Sequence, residues 1–146
     1  MRLNRDRIKA LIPHAGAMCL IDAVVAWDVT HIHCRSSSHR SAAHPLRQDG
    51  RLDAIHLIEY AAQSAAIHAG LLAVDAGAAR PASGVLAALR NVRMADVDLA
   101  AVTAPLDIES QRRMGAAAGL IYGFEVTSAG DWLMSGQLTV MTRAAH

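Results

Sequence analysis

Asp53-Ala54-Ile55-His56-Leu57-Ile58-Glu59-Tyr60-Ala61-Ala62-Gln63-Ser64-Ala65-Ala66-Ile67-His68-Ala69-Gly70-Leu71-Leu72-Ala73-Val74 is the stretch that decides the fold. It contains no proline, opens on an aspartate suited to capping, and carries Ile, Leu and Ala on nearly every side. The pattern predicts one helix from residue 53 to about residue 74, apolar almost all round. Such a helix has to be enclosed on most sides, and a sheet curling about it does this most economically.

The flanking sequence supplies that sheet. Residues 19–27, rich in Leu, Ile and Val, and the alternating residues 30–36 read as a hairpin turned at Asp28-Val29. After the helix, residues 85–94, 104–113, 120–128 and 132–142 read as four more antiparallel strands, with Gly130-Asp131 among the turns. Asn4 caps a short helix over residues 5–11, which Pro13 ends. Residues 37–52 have no apolar period and are rich in turn chemistry (His44-Pro45, Asp49-Gly50), the kind of long loop that often carries function. With no repeat or linker, residues 1–146 form one α+β domain: six strands and a long inserted helix.

Composition narrows the function. Fourteen basic and thirteen acidic residues leave a formal charge of +1, which cannot supply the cationic stripe that nucleic-acid affinity rests on. With 53% hydrophobic and only 18% charged residues, the lean surface predicts at least a dimer. Cys19 and Cys34 fall in apolar segments and are expected as buried thiols of a reducing compartment. No run approaches the length of a membrane-spanning helix, so a soluble, cytoplasmic protein is expected. His31 and His33 share a strand face with Cys34 on the other, and no metal-ligand motif occurs, so no metal is expected.

Three stretches in register resemble the hotdog-fold 3-hydroxyacyl-carrier-protein dehydratases: the run from Ile12-Pro13-His14 to Ile21-Asp22-Ala23-Val24, the helix segment Leu57-Ile58-Glu59-Tyr60-Ala61-Ala62-Gln63, and the strand Leu86-Ala87-Ala88-Leu89-Arg90-Asn91-Val92-Arg93-Met94. Within that family, Asp49-Gly50-Arg51-Leu52 and Ile58-Glu59-Tyr60 look closest to the divergent branch encoded beside aryl-polyene biosynthetic genes. The resemblance implies a hotdog fold, a sheet of about six strands wrapped around the central helix. It also implies an acyl group tethered to the phosphopantetheine of an acyl carrier protein, with no cofactor of the chain's own. The implied assembly is a homodimer, or a hetero-oligomer with a second hotdog dehydratase. The chain departs from the family pattern in lacking both of its Pro-Gly elements.

Removing water from a 3-hydroxyacyl thioester needs a base for the proton beside the carbonyl, an acid for the leaving hydroxyl, and donors for the enolate-like oxygen. In the resembled enzymes the histidine sits fourteen residues before the acid, and His44, fifteen residues before Glu59, is accordingly read as the base. Glu59, among Ile and Ala side chains, is read as the acid, its proton favoured by desolvation. Free N–H groups at the helix start, near Asp53 to His56, would face the carbonyl, although an Asp53 cap would occupy some of them.

In the resembled enzymes histidine and acid come from different protomers. His56 is a rival base, since His56, Glu59 and Gln63 share one helix face as a polar line able to bind substrate. His14 matches a non-catalytic family histidine and is read as structural. Arg90 and Arg93 are candidates for carrier docking, on opposite strand faces unless a bulge intervenes. Two alternatives stay open: a non-catalytic subunit supporting a partner dehydratase, and an acyl thioesterase.

Overall fold

A computed structural model describes residues 2–11, 19–77, 83–116 and 119–143. The chain runs α1 (Arg5–Lys9), β1 (Ala23–Trp27), β2 (His31–Ser36), the long loop, α2 (Leu57–Asp75), β3 (Ser83–Met94), β4 (Leu106–Ala116), β5 (Gly119–Ser128) and β6 (Asp131–Arg143). The strands form one antiparallel sheet in the order β1-β2-β4-β5-β6-β3, leaving β1 and β3 at the edges. Helix α2 lies against β2, β4, β5 and β6, the enclosure its apolar circumference requires.

Alternation along the strands sets the two faces. Ile32 and Cys34 of β2, Leu106 and Ile108 of β4, Tyr122, Phe124 and Val126 of β5, and Met134 and Leu138 of β6 are buried on the inner face. There they meet Leu57, Tyr60, Ala61, Ala65 and Ile67 of α2. The alanines and Ser64 let the helix come close: Ser64 Oγ lies 2.6 Å from Ser110 Oγ in the buried layer. Both cysteines are buried and free. Burial pushes the Cys34 thiol up to about 12, which makes it inert packing.

The departures from expectation sit mostly at element ends. Asn4 does cap α1, accepting from Arg7 N at 3.1 Å, but the helix stops at Lys9. β1 begins at Ala23; just before it Asp22 N–H donates to Arg35 O of β2 at 3.1 Å, while Leu20 is held by the Gln63 and Ser38 side chains. Asp53 does not cap α2: a 3-10 turn, Ala54–His56, intervenes, and the Asp53 side chain makes no cap hydrogen bond. Asp53 pairs through its backbone with Asp98 instead, and the N–H groups of His56 and Leu57 go to carbonyls of the 3-10 turn, His56 N–H to Asp53 O at 3.1 Å and Leu57 N–H to Ala54 O. By length and composition alone, Ala54–Asp75 is apolar enough to cross a membrane, with mean hydropathy 1.3 over its most apolar window. This corrects the expectation that no run approaches such a length. Here the segment is the core helix, with His68, Ser64 and Gln63 buried against the sheet.

Candidate functional site

The loop before α2 is irregular in outline but closely held. Asp49 (φ 49°) and Gly50 (φ 76°) make a tight turn that pairs Gln48 with Arg51. Arg47 then clasps the loop through three carbonyls: Nη2 donates to His39 O at 2.7 Å, Nη1 to Gly50 O at 2.9 Å and Nε to Ser41 O at 3.1 Å. Downstream, the Asp98 carboxylate accepts from Leu52 N at 3.0 Å and anchors the loop's exit.

This frame carries His44 into the protein, where 5% of its surface remains exposed. Leu46 N–H donates to Nδ1 at 3.1 Å, and Nε2 lies 3.0 Å from Tyr60 Oη. A backbone N–H can only donate, so Nδ1 is the bare nitrogen and Nε2 carries the proton to the phenol. Tyr60 Oη in turn lies 2.7 Å from Ser38 Oγ, which donates to Leu20 O at 2.8 Å. The result is a directed line from loop to core. Desolvation, then the nearby Arg47, His56 and His39, hold the His44 imidazole below its ordinary pKa and hence neutral. Burial pushes the Tyr60 phenol up to about 12.

Glu59 lies one position before Tyr60, so its side chain leaves the helix about 100° away. It is half-buried, and no hydrogen bond or ion pair joins it to another described residue. The apolar enclosure expected around it is not completed by this chain alone. His56, also half-buried, lines a small pocket of about 160 Å³ with Leu46, Gln48, Asp49, Arg51 and Asp53. Gln63 is buried and turns inward, its Oε1 accepting from Leu20 N at 2.9 Å. It therefore braces the segment before β1, at the same residue that ends the His44 line.

Arg90 and Arg93 are both exposed, and the bulge that sequence could only pose as a condition is present. Arg90 pairs with Gln137 and Arg93 with Ser135, so Asn91 (φ 53°) and Val92 together oppose Gly136. The extra residue puts both arginines on the sheet's outer face. His31 and His33 share that face, His33 Nε2 lying 2.8 Å from Asp107 and His31 Nε2 lying 3.5 Å from Glu109. His14 lies outside the described residues.

Sequence reasoning missed Tyr60, Ser38 and Arg47. Tyr60 is one of only two tyrosines and sits beside the candidate acid on a helix otherwise filled with Ala, Ile and Leu, which was the available signal. Arg47 left none, because its partners are carbonyls.

No curated protein matches this sequence. Among solved structures, one chain of the dehydratase heterocomplex ApeI:P from Xenorhabdus doucetiae superposes with a TM-score of 0.83 at 26% identity, covering 96% of this chain and 91% of that one. A mutant of thioesterase PA1618 from Pseudomonas aeruginosa is similar with a TM-score of 0.65 at 12% identity, covering 98% and 96%. The virulence protein Cj0977 from Campylobacter jejuni has a TM-score of 0.65 at 10% identity, covering 97% and 91%. These two show the fold alone, and the antiparallel sheet around one long helix is the hotdog architecture. The family model of the ApeP dehydratases matches residues 6–145, nearly the whole chain, and the protein accordingly belongs to the ApeP-like dehydratase family.

Proposed function

We propose that this chain takes part in dehydrating a 3-hydroxyacyl thioester, carried on the phosphopantetheine of an acyl carrier protein, to the trans-2-enoyl form in aryl-polyene biosynthesis. An imidazole removes the proton from C2, and the carbon–hydrogen electrons form the C2=C3 bond. The C3–O bond breaks as that double bond forms, Glu59 giving its proton to the departing hydroxyl, which leaves as water. N–H groups at the entrance to α2, where the Asp53 side chain makes no cap hydrogen bond, are proposed to meet the thioester oxygen. The chemistry calls for no cofactor beyond the carrier's arm, and the free thiols suit a cytoplasmic location.

The observation that carries this reading is the contrast in burial between Glu59 and its neighbours in a chain of the ApeP family. Glu59 is the carboxyl in the first turn of α2, at the head of a half-buried stripe that continues through Ala62, Ala66 and Ala69, and a second subunit would complete the enclosure of that stripe. Edge strand β3 supports such a subunit, since Leu86, Leu89 and Met94 are exposed large apolar residues along it. ApeI:P is a heterocomplex, and we propose the same kind of assembly here, with a second hotdog subunit. Arg90 and Arg93, brought to one face, are proposed to meet the acidic carrier.

His44 is proposed as the base of this chain. To accept a proton it has to give up Leu46 N–H at Nδ1, or exchange Tyr60 for substrate and shift its proton. That engagement of both nitrogens also favours a second reading, in which the other subunit supplies the imidazole and this chain lends Glu59 or only support. The test is the assembled complex acting on a 3-hydroxyacyl carrier, with the adduct followed by mass. Loss of water that stops with Glu59→Gln and with His44→Asn supports the first reading. Loss of activity with Glu59→Gln alone supports the half-site, and activity unchanged in both leaves a supporting subunit. Release of free acid would mean a thioesterase.

A further inference from the structure

Over residues 37–51 the loop sends two side chains into full burial, and both are histidines: His39 with none of its surface exposed and His44 with 5%. The rest of that stretch is half-buried or exposed. The two pegs that hold the loop to the body of the protein are therefore groups that can take a proton, where a leucine would hold at any pH.

His39 Nε2 lies 2.9 Å from Val102 O, just after the 3-10 turn Leu99–Ala101. A carbonyl only accepts, so Nε2 carries the proton and Nδ1 is bare. That Nδ1 is buried with no hydrogen-bond partner among the described residues. A second proton on His39 would sit there, out of water. On His44 it would have to displace Leu46 N–H from Nδ1.

The groups around the rings are mostly cationic or neutral. His39 faces Arg40 and Arg47 of the loop and the carbonyls of Val102 and Ala104; the carbonyls favour a proton, but desolvation outweighs them and holds the ring below its ordinary pKa. His44 faces Arg47 and His39 of the loop, with His56 and Tyr60 at the start of α2. The carboxylates of the adjoining segments are engaged elsewhere. Asp22 accepts from Ser37 N at 2.7 Å, Asp98 from Leu52 N at 3.0 Å and Ala100 N at 2.9 Å, and Asp53 lies 3.6 Å from Arg51. Asp49 is exposed at its turn, and Glu59 leaves α2 about 100° round from Tyr60. No ion pair joins either ring to a described carboxylate.

We propose that residues 37–51 form an acid-released latch: protonation of His39 and His44 frees the loop from the body of the protein and carries His44 away from Tyr60 and the first turn of α2. Released rings take up protons near the ordinary value of about 6.5, before the buried ones do, so falling pH favours release, by up to about tenfold for each ring between pH 7.5 and pH 5.5. The release belongs to the loop alone; its effect on turnover rests on His44 as the base.

Amide exchange of the full chain in its assembled state, corrected for intrinsic rates, measures the opening at those two pH values. In the wild type the protection of Arg40, His44 and Arg47 N–H, which all donate within the loop, should fall at least tenfold, with β5 better protected than the loop at both. His39→Gln, which keeps an N–H for Val102 O, should lessen the fall, and His39→Gln with His44→Gln should reduce it to less than twofold. Wild-type protection that does not change, or an equal fall in the double variant, would overturn the latch. Imidazole NMR of the wild type needs no substitution: His39 should take its second proton with the midpoint of loop opening, and a ring that titrates in a closed loop would also overturn it. Turnover of a 3-hydroxyacyl carrier is read separately. A loop that opens as expected in an assembly where His44→Asn still dehydrates supports the latch and overturns His44 as the base.

Discussion

Helix α2 carries two histidine–tyrosine pairs made of the same groups. Toward its N-terminal end, His44 from the loop meets Tyr60, ring planes 28° apart and centroids at 6.1 Å. Toward its C-terminal end, His68 meets Tyr122 at 90° and 5.5 Å, with Trp27 edge-on at 6.4 Å. His68 Nε2–H donates to Asp28 O at 2.7 Å, and Nδ1 accepts from Tyr122 O–H at 2.6 Å. Both imidazoles are neutral and carry their proton on Nε2. They differ in what holds them: the partners of His68 come from the β1–β2 turn and β5, whereas His44 rests on a loop clasped by one arginine. The His68 pair locks the hairpin to the helix, and the His44 pair fastens the loop to the helix's first turn.

The sharpest test of that difference is stability. His68→Leu strands a buried phenol and a carbonyl and should cost about 3 kcal/mol in urea unfolding, while His44→Leu should cost about half as much. A larger loss at His44 would break the comparison. Arg47→Lys removes a three-carbonyl clasp but keeps the charge; about 1–2 kcal/mol is expected, concentrated in faster amide exchange over residues 39–50 while β5 stays protected. Tyr60→Phe should cost about 1 kcal/mol, less than Tyr122→Phe, because Ser38 keeps its bond to Leu20 O.

The smallest effect is that of pH. Burial holds both His44 and His68 below the ordinary histidine value, so the unfolded chain takes up protons first. Their contribution to stability is complete above about pH 6.5 and is lost as pH falls from there through the folded-state values. Thermal unfolding between neutrality and pH 5 should show this slope, and His68→Gln should flatten it. A slope unchanged in both His68→Gln and His44→Gln would mean that neither ring is held neutral.

The helix was legible because Ile, Leu and Ala on all its sides leave one way to bury them, and the strands because alternation marks a sheet with one wet face. The bulges were not: Asn91 of β3 and Arg113 of β4 change which face a side chain joins without changing the pattern on the inner face. Asp53 looked like a cap, but the cap geometry was displaced by the 3-10 turn and by pairing with Asp98. At the site, the resemblance to the dehydratases picked out Glu59 and His44 as candidates, but not the tautomer of His44. That depends on Leu46 N–H, Tyr60 and Ser38, groups that carry no motif.

Whether Glu59 is the proton donor of a composite site is tested most directly by the complex of this chain with the proposed second hotdog subunit, given a 3-hydroxyacyl carrier protein and followed by adduct mass. The wild type should lose one water from the carrier adduct, and the folded Glu59→Gln complex should be slower by at least about 100-fold. An equal rate from the two complexes would contradict the account.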